Sequence, residues 1–238
     1  MRPVIIALDF ENQQIVTDFL AQFPPTDQPM VKVGMELFYL AGPSILRTLQ
    51  ERGLRVFLDL KLYDIPHTVE RAMRQLGRQG VALVTVHAAG GAAMIAAARR
   101  GLDQGSREAG VAPAKLLAIT QLTSTSEAQM QAEQLVSADL PTTVTHLARL
   151  AQANGADGVV ASALEDPTIH AAIAPEFLCI NPGIRLATDA ADDQQRVVTP
   201  AQAAHLGSDG IVVGRSITQA ADPVAAYHQV LAEWEAGK

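Results

Sequence analysis

The sequence predicts a closed barrel of eight parallel β-strands that alternate with α-helices, a (β/α)8 or TIM barrel, as a single domain over residues 1–238. Short aliphatic and β-branched runs recur eight times, separated by longer alanine-rich amphipathic stretches. The length of 238 residues and the hydrophobic content of 48% suit one such barrel. No glycine-rich linker or composition shift divides the chain.

The predicted elements alternate without a break from the first strand to the last helix. The strands are the apolar runs at 4–8, 30–33, 56–60, 82–87, 116–122, 158–161, 177–180 and 211–213. The helices are the amphipathic stretches at 12–22, 43–50, 66–78, 92–102, 141–154, 167–172, 200–206 and 223–234, several with proline near the start, as the first helical turn favours. Such alternation indicates parallel crossovers, and a doubly wound open sheet is the structural alternative.

Two polar stretches interrupt this rhythm, 123–140 after the fifth strand and 184–198 after the seventh. Loops of this length in a compact domain are usually functional or disordered. Both leave the carboxyl ends of strands. We therefore expect two mobile loops on one face of the barrel.

Charge and composition exclude several classes of protein. The net charge of -7 and the absence of a Lys/Arg run argue against nucleic acid or an anionic membrane as a partner. Cys179 is the only cysteine, so no disulfide framework can form. The apolar run at the N-terminus is broken by Asp9, and nothing in the sequence resembles a signal peptide or a membrane span. We expect a cytoplasmic protein.

The segment Asp59-Leu60-Lys61-Leu62-Tyr63-Asp64 ends the third predicted strand and carries the strongest functional signal. Side chains alternate along a strand, so Asp59 and Lys61 should project from one side, with Asp64 in the turn closed by Pro66. Buried charges are costly unless they are paired, which makes this triplet hard to explain as packing. The alternative is a structural salt bridge at the mouth of the strand.

Polar side chains also end most of the other strands, and in a barrel these ends converge on one mouth. Lys32 lies in an apolar strand and needs an anionic partner, unless it reaches solvent at an edge. Asp9 either caps the following helix or contacts a ligand. The full set is Asp9, Lys32, Asp59, Lys61, Asp64, His87, Thr123, Ser162, Arg185 and Arg215.

Gly214 and Arg215, after the eighth strand, predict a phosphate site, although a plain turn is the alternative. Glycine lets the backbone approach a phosphate, and arginine can hold it with two parallel hydrogen bonds. Barrel phosphate sites commonly follow the seventh and eighth strands, so Arg185 is a second candidate.

Motifs for a metal or a redox cofactor are absent from the sequence. No His or Cys accompanies His87 at metal-ligand spacing, so a supporting or packing role is expected for it. The chain has no Walker loop, nucleophile elbow, H-E-x-x-H motif or dinucleotide fingerprint. We expect chemistry that needs no cofactor.

Over essentially the whole chain, these residues resemble the orotidine 5'-phosphate decarboxylase family. The matching segments are Ala7-Leu8-Asp9, Val31-Lys32-Val33-Gly34, the run from Phe57 to Thr68, Val86-His87-Ala88, Leu122-Thr123-Ser124, Asn181-Pro182-Gly183-Ile184-Arg185 and Val213-Gly214-Arg215-Ser216. A related family of magnesium-dependent sugar-phosphate enzymes shares the D-x-K-x-x-D motif but has a segment similar to E-V-G at the second strand. This chain has Lys32-Val33-Gly34 there, which makes the metal-dependent branch an unfavourable match.

The resemblance implies decarboxylation of orotidine 5'-phosphate to uridine 5'-phosphate in de novo pyrimidine synthesis. Lys32, Asp59, Lys61 and Asp64 would form a charge chain in which Lys61 protonates C6 of the pyrimidine. Asp64 and Thr68 would reach into the site of the partner subunit of a homodimer. The other implied substrate contacts are Asp9 for the ribose, Thr123 and Ser124 for the base, Arg185, Gln194, Gly214 and Arg215 for the 5'-phosphate, and Ile65 and Pro182.

Two other functions remain compatible with the same residues. A Schiff-base aldolase would use Lys61 as its nucleophile, but that role needs a neutral amine, and flanking carboxylates favour the charged form. A non-enzymatic sugar-phosphate or nucleotide-binding module would use the charged triplet only as a structural element.

Overall fold

The computed structural model describes residues 2–187 and 196–237, and its eight strands form a closed parallel barrel. The strands are β1 (Val4–Ala7), β2 (Met30–Val33), β3 (Val56–Leu62), β4 (Leu83–His87), β5 (Lys115–Ile119), β6 (Gly158–Val160), β7 (Leu178–Asn181) and β8 (Gly210–Val213). Each strand pairs in parallel with the next, and β8 pairs with β1. The predicted barrel is confirmed, and the open sheet is excluded.

The helices are α1 (Gln13–Ala21), α2 (Met35–Ala41), α3 (Ser44–Glu51), α4 (Pro66–Gly77), α5 (Gly91–Ala109), α6 (Glu127–Glu133), α7 (Leu140–Ala153), α8 (Asp166–Ala172), α9 (Pro200–His205), α10 (Arg215–Thr218) and α11 (Pro223–Ala236). All eight predicted helices are present, while the short helices α2, α6 and α10 were not predicted. Among the described helices, none is long and apolar enough to cross a membrane.

Local signals explain where several helices begin. The side chain of Asn12 accepts the Ile15 N–H at 3.0 Å and so starts α1, and Asp139 accepts the Thr142 N–H at 2.7 Å at the start of α7. Helix α6 begins with a capping box between Ser126 and Gln129. That motif is visible in the sequence and could have predicted a helix inside the polar stretch 123–140.

Helix α5 continues to Ala109, beyond the predicted end at 102. Two of its glycines lie where the helix packs closely against α4. A methyl group on Gly101 or Gly105 would overlap the carbonyl oxygens of Glu70 and Arg74 on α4. Glycine weakens a helix in isolation, and the predicted helix ends just after Gly101. In the barrel these glycines allow α4 and α5 to approach closely, and the helix ends at the left-handed Gly110.

The barrel interior is filled by a layer of apolar side chains. Its buried members are Ile5, Ala7, Met30, Phe57, Leu83, Leu117, Ile119, Val160, Ile180 and Val212. A larger apolar cluster joins the outer face of the strands to the surrounding helices. Burying a side chain such as Phe57 contributes about 1.5–3 kcal/mol, so the barrel provides a rigid support for the loops at its mouth.

A buried carboxyl group joins α8 to β7 and to the segment just before β8. Asp166 accepts hydrogen bonds from the Asn181 amide at 2.9 Å and the Ser208 hydroxyl at 2.6 Å. Burial raises the pKa of Asp166 to about 7. The neighbouring thiol of Cys179 is also fully buried, and burial together with the charge of Asp166 raises its pKa far above the usual value.

Asp166→Asn should change how stability depends on pH. The native state keeps a proton on Asp166 up to a pH of about 7, whereas the unfolded chain loses it near the ordinary pKa of 3.8. The native state thus binds the extra proton, so the free energy of unfolding should fall by up to about 4 kcal/mol, relative to the asparagine variant, as the pH rises through this window.

Urea denaturation at several pH values measures this difference, and curves that run parallel for the two proteins would contradict it. Asp139→Asn is a control for which the pH dependence of stability should have the opposite sign. Hydrogen bonding to Thr142 lowers the pKa of Asp139, so the native protein should lose stability relative to that variant as the pH falls.

Candidate active site

A cavity of about 580 Å³ opens at the carboxyl ends of the strands, within the usual range for a small-molecule site. Its floor is apolar and includes Phe57, Ile119 and Val212 from the barrel interior. The cavity is also lined by seven of the ten residues predicted for the mouth, Asp9, Lys32, Asp59, Lys61, Thr123, Arg185 and Arg215, and by Ser124, Pro182 and Gly214. The other three predicted residues, Asp64, His87 and Ser162, do not line it.

Four of these side chains form a row in which the sign of the charge alternates, which we call the charge row: Asp9, Lys32, Asp59 and Lys61. The Lys32 ammonium lies 3.0 Å from Asp9 Oδ1 and 4.0 Å from Asp59 Oδ2. Lys61 Nζ lies 2.8 Å from Asp59 Oδ2. Because Lys32 and Asp59 are buried, each needs an opposite charge beside it, and the alternation supplies one.

The structure decides between the alternatives for Lys32 and Asp9. Lys32 is only 9% exposed and contacts two carboxylates, so it does not extend to solvent at a sheet edge. Helix α1 is capped by Asn12, and Asp9 contacts Lys32 instead. Both residues therefore face the mouth of the barrel.

Gly34 makes room for the contact between Asp9 and Lys32. A Cβ atom at this position would lie 3.2 Å from Asp9 Oδ1 and 3.2 Å from Lys32 Nζ. Any larger residue would press against both charged groups. The contact between Asp9 and Lys32 thus explains, on steric grounds, why the residue at position 34 is glycine.

The prediction that side chains alternate regularly along β3 is wrong at Lys61, although the side chains of Asp59 and Lys61 are in contact. Lys61 has a φ of 52°, in the left-handed region. Leu58 pairs with Val84 and Leu62 with Val86, so four steps along β3 match two along β4. A bulge of this kind redirects side chains and is common beside active sites.

Thr85 on β4 stabilises this bulge, and no sequence motif singled it out. Its hydroxyl accepts the backbone N–H of Lys61 at 2.8 Å and donates to Asp59 Oδ1 at 3.0 Å. Thr85 is buried, and a threonine in an apolar strand is ordinarily a packing residue.

Three predicted substrate contacts do not line the cavity of their own chain. Asp64, Ile65 and Thr68 are exposed residues at the start of α4 and in the turn before it. The Asp64 carboxylate accepts the Ile65 N–H at 2.6 Å. A single chain therefore does not bring these residues to Lys61.

The predicted phosphate residues lie along the loops after β7 and β8. Arg185, Gly214 and Arg215 line the cavity, and Arg185 is held by its backbone N–H, which donates to the Val198 carbonyl at 3.1 Å. An isolated bridge between Ile184 and Val198 closes the base of the loop. Gln194, the fourth predicted contact, lies outside the described residues.

Arg196 connects three loops around the mouth, and it is not among the predicted site residues. Its guanidinium donates to the Glu165 carboxylate and, at 2.9 Å, to the Leu122 carbonyl oxygen. Burial raises the pKa of Glu165, but the arginine opposes this shift. The loops after β5, β6 and β7 are thus joined by one side chain, and no local motif could have indicated contacts so distant along the chain.

His87 is a neutral supporting residue in this geometry. Its Nδ1 accepts the Ala89 N–H at 3.3 Å, and burial together with the Lys61 charge lowers its pKa. Among residues 2–187 and 196–237, a cluster with metal-ligand spacing occurs at His170, Cys179 and Asp209, outside the cavity. The cavity itself is organised around ammonium and carboxylate groups.

Comparison with known proteins identifies the family to which this chain is similar. Residues 2–230 match the model of the orotidine 5'-phosphate decarboxylase / HUMPS family. The chain is 57% identical to an orotidine 5'-phosphate decarboxylase of Latilactobacillus sakei, over 99% of both chains, and 53% identical to one of Halalkalibacterium halodurans, again over 99% of both. The crystal structure of the Lactobacillus acidophilus enzyme of that name superposes with a TM-score of 0.88 at 42% identity and covers 98% of this chain and 99% of that one.

The match extends over the whole barrel and includes every strand that contributes to the charge row. It confirms the family that the sequence segments indicated. The chain belongs to the orotidine 5'-phosphate decarboxylase / HUMPS family.

Proposed function

We propose that this protein decarboxylates orotidine 5'-phosphate to uridine 5'-phosphate and that Lys61 donates the proton to C6. The family and its decarboxylase relatives support the reaction. The charge row at the mouth of the cavity is the observation that supports the proton donor. In it, the Lys61 ammonium contacts Asp59 and also lines the cavity.

The mechanism follows from the order of the charges. The substrate carboxylate lies near Asp59, and two unit charges of like sign about 4 Å apart repel by roughly 4 kcal/mol at an effective dielectric constant near 20. Cleavage of the bond to C6 releases CO2 and leaves the electron pair on C6. The Lys61 ammonium stabilises that carbanion and transfers a proton to it. We give carbanion stabilisation more weight than relief of repulsion, because only the former acts on the charge that develops in the transition state.

The contact between Lys61 and Asp59 also argues against a Schiff-base aldolase. A carboxylate 2.8 Å away stabilises the ammonium form, which can donate a proton but cannot attack a carbonyl group. The same geometry argues against a pure binding module, because Lys61 is directed into the cavity and is not enclosed by the protein.

Lys32 supports the branch of the family that needs no metal. Its ammonium lies between the Asp9 and Asp59 carboxylates and compensates both charges. A divalent cation bound there would meet this positive charge at close range. The related magnesium-dependent family has a sequence similar to E-V-G at this strand, with a carboxylate in place of Lys32.

The proposal includes the remaining substrate contacts that the resemblance implies. Asp9 binds the ribose, and Thr123 and Ser124 face the pyrimidine. Arg185, Gln194, Gly214 and Arg215 hold the 5'-phosphate, and Pro182, which lines the cavity, is a further substrate contact. Binding energy from the phosphate, which is remote from C6, helps to order the loops at the mouth.

A homodimer would explain the exposed segment that carries Asp64 and Thr68. Apolar side chains on α2 and in the turn after β3 are unusually exposed, and they include Tyr39 (73%), Tyr63 (65%) and Ile65 (66%). An exposed apolar surface of this kind is typical of an interface. We propose that a second copy covers it and receives Asp64, Ile65 and Thr68 into its site. The cytoplasmic location and the lack of a nucleic-acid partner stay predictions.

Lys61→Ala should abolish most of the activity. Loss of a general acid typically costs about 10²–10⁴ in rate. The assay follows the decrease of the orotate absorbance of orotidine 5'-phosphate, with a chelator present, and the wild-type rate should not change when the chelator is added. Lys115→Ala, at an exposed lysine paired with Asp157 outside the cavity, is the matched control and should keep wild-type activity.

Activity that survives Lys61→Ala would exclude Lys61 as the proton donor. A wild-type rate that disappears with the chelator would exclude the metal-independent mechanism. Trapping of a carbonyl substrate on Lys61 by borohydride would favour the aldolase.

Mixed dimers test the shared site. Lys61→Ala and Asp64→Asn should each be nearly inactive alone. After they are denatured and refolded together, about a quarter of wild-type activity should return, because half of the dimers are hybrids and each hybrid has one intact site.

The matched control combines Lys61→Ala with Asp59→Asn. Both residues belong to the site of one chain, so mixing these variants should restore nothing. Hybrid dimers of the first pair that form and remain inactive would contradict the shared site, and so would full activity of Asp64→Asn alone.

A further inference from the structure

Thr85 contacts both members of the Asp59–Lys61 pair through one hydroxyl group. It accepts the Lys61 backbone N–H at 2.8 Å and donates to Asp59 Oδ1 at 3.0 Å. Thr85 is 1% exposed and does not line the cavity. We propose that Thr85 is a positioning residue for decarboxylation, which sets the Asp59 carboxylate and the Lys61 backbone in their reactive arrangement. This inference rests on the proposed role of Lys61.

The direction of each hydrogen bond follows from the groups involved. A backbone N–H can only donate, so the Thr85 oxygen is the acceptor from Lys61. The hydroxyl hydrogen is then available for Asp59, whose ionised carboxylate can only accept. The two bonds form a short chain in which each polarises the next. A hydroxyl group can do this, whereas a methyl group of the same size cannot.

The contact to Asp59 fixes the rotation of its carboxylate. Oδ1 is held by Thr85, which leaves Oδ2 directed at the two ammonium groups, 2.8 Å from Lys61 Nζ and 4.0 Å from Lys32 Nζ. Without Thr85, rotation of the carboxylate would change both distances. One hydroxyl group therefore orients the centre of the charge row.

The contact to Lys61 compensates an unfavourable backbone conformation. Lys61 has a φ of 52°, which is costly for a residue with a side chain. Within the bulge, the pairing of β3 with β4 passes from Leu58–Val84 to Leu62–Val86, and the Lys61 N–H donates to the side chain of Thr85. The hydroxyl thus replaces a backbone acceptor and stabilises the turn that directs the lysine into the cavity.

The test compares kcat and KM for orotidine 5'-phosphate in Thr85→Val and Thr85→Ser. The valine variant keeps the shape but leaves a buried N–H and a buried carboxylate oxygen without this partner, so kcat should fall roughly 100-fold. KM should change by less than about threefold, because the lost interaction acts on the reacting groups and not on substrate binding. The serine variant keeps the hydroxyl and should retain kcat within about fivefold of the wild type.

Thr120→Val is the matched control. Thr120 is also a fully buried threonine, just after β5, and its hydroxyl donates to the Val160 carbonyl at 3.4 Å without touching the charge row. This variant should keep wild-type kcat. If Thr85→Val fails to fold, Thr85→Ala against Thr85→Ser makes the same comparison, since both lack the γ-methyl group and only serine has a hydroxyl.

Three results would overturn the proposal: wild-type kcat in Thr85→Val, equal losses in the serine variant and in the valine or alanine variant, or a loss in Thr120→Val as large as that in Thr85→Val. Lys61→Ala is measured alongside them. If it is inactive while Thr85→Val is fully active, the role of Thr85 fails and the proposed function stands. If Lys61→Ala is active, the proposed proton donor fails independently of Thr85.

Discussion

Both the fold and the site depend on the parallel pairing of β8 with β1, which closes the sheet. Closure gives every strand two neighbours and encloses the apolar layer that contains Phe57. It also brings Arg215, near the end of the chain, to the same mouth as Asp9, near its beginning. An open sheet would satisfy the same sequence periodicity but would separate these residues. The cavity is therefore a direct result of closure.

Within the mouth, electrostatic compensation decides the arrangement. Lys32 and Asp59 are nearly inaccessible, and neither could be buried alone without a large desolvation cost. The row from Asp9 to Lys61 solves this by alternating signs, and its outermost ammonium lines the cavity. The same arrangement that makes the buried charges tolerable also presents a cation to the substrate. Stability and chemistry are thus served by one set of contacts.

The sequence could predict what depends on periodicity and on residue type. The eight strands, the convergence of Asp9, Lys32, Asp59 and Lys61, and the position of Arg215 all followed from alternation and barrel geometry. What it missed depends on contacts between distant segments. The bulge at Lys61 is set by Thr85 on the next strand, Arg196 reaches Leu122 across the mouth, and the end of α5 depends on glycines that contact α4. No local pattern records such partners.

The position of Cys179 has a practical consequence. Its thiol is the only one in the chain, is fully buried and is kept from ionising by burial and by neighbouring carboxylates. Since the thiolate is the form that reacts with alkylating reagents, the folded chain is protected from them. Modification then requires β7 and the Asp166 network to open. The rate of alkylation of one natural cysteine thus reports how often the barrel opens, with no label to introduce.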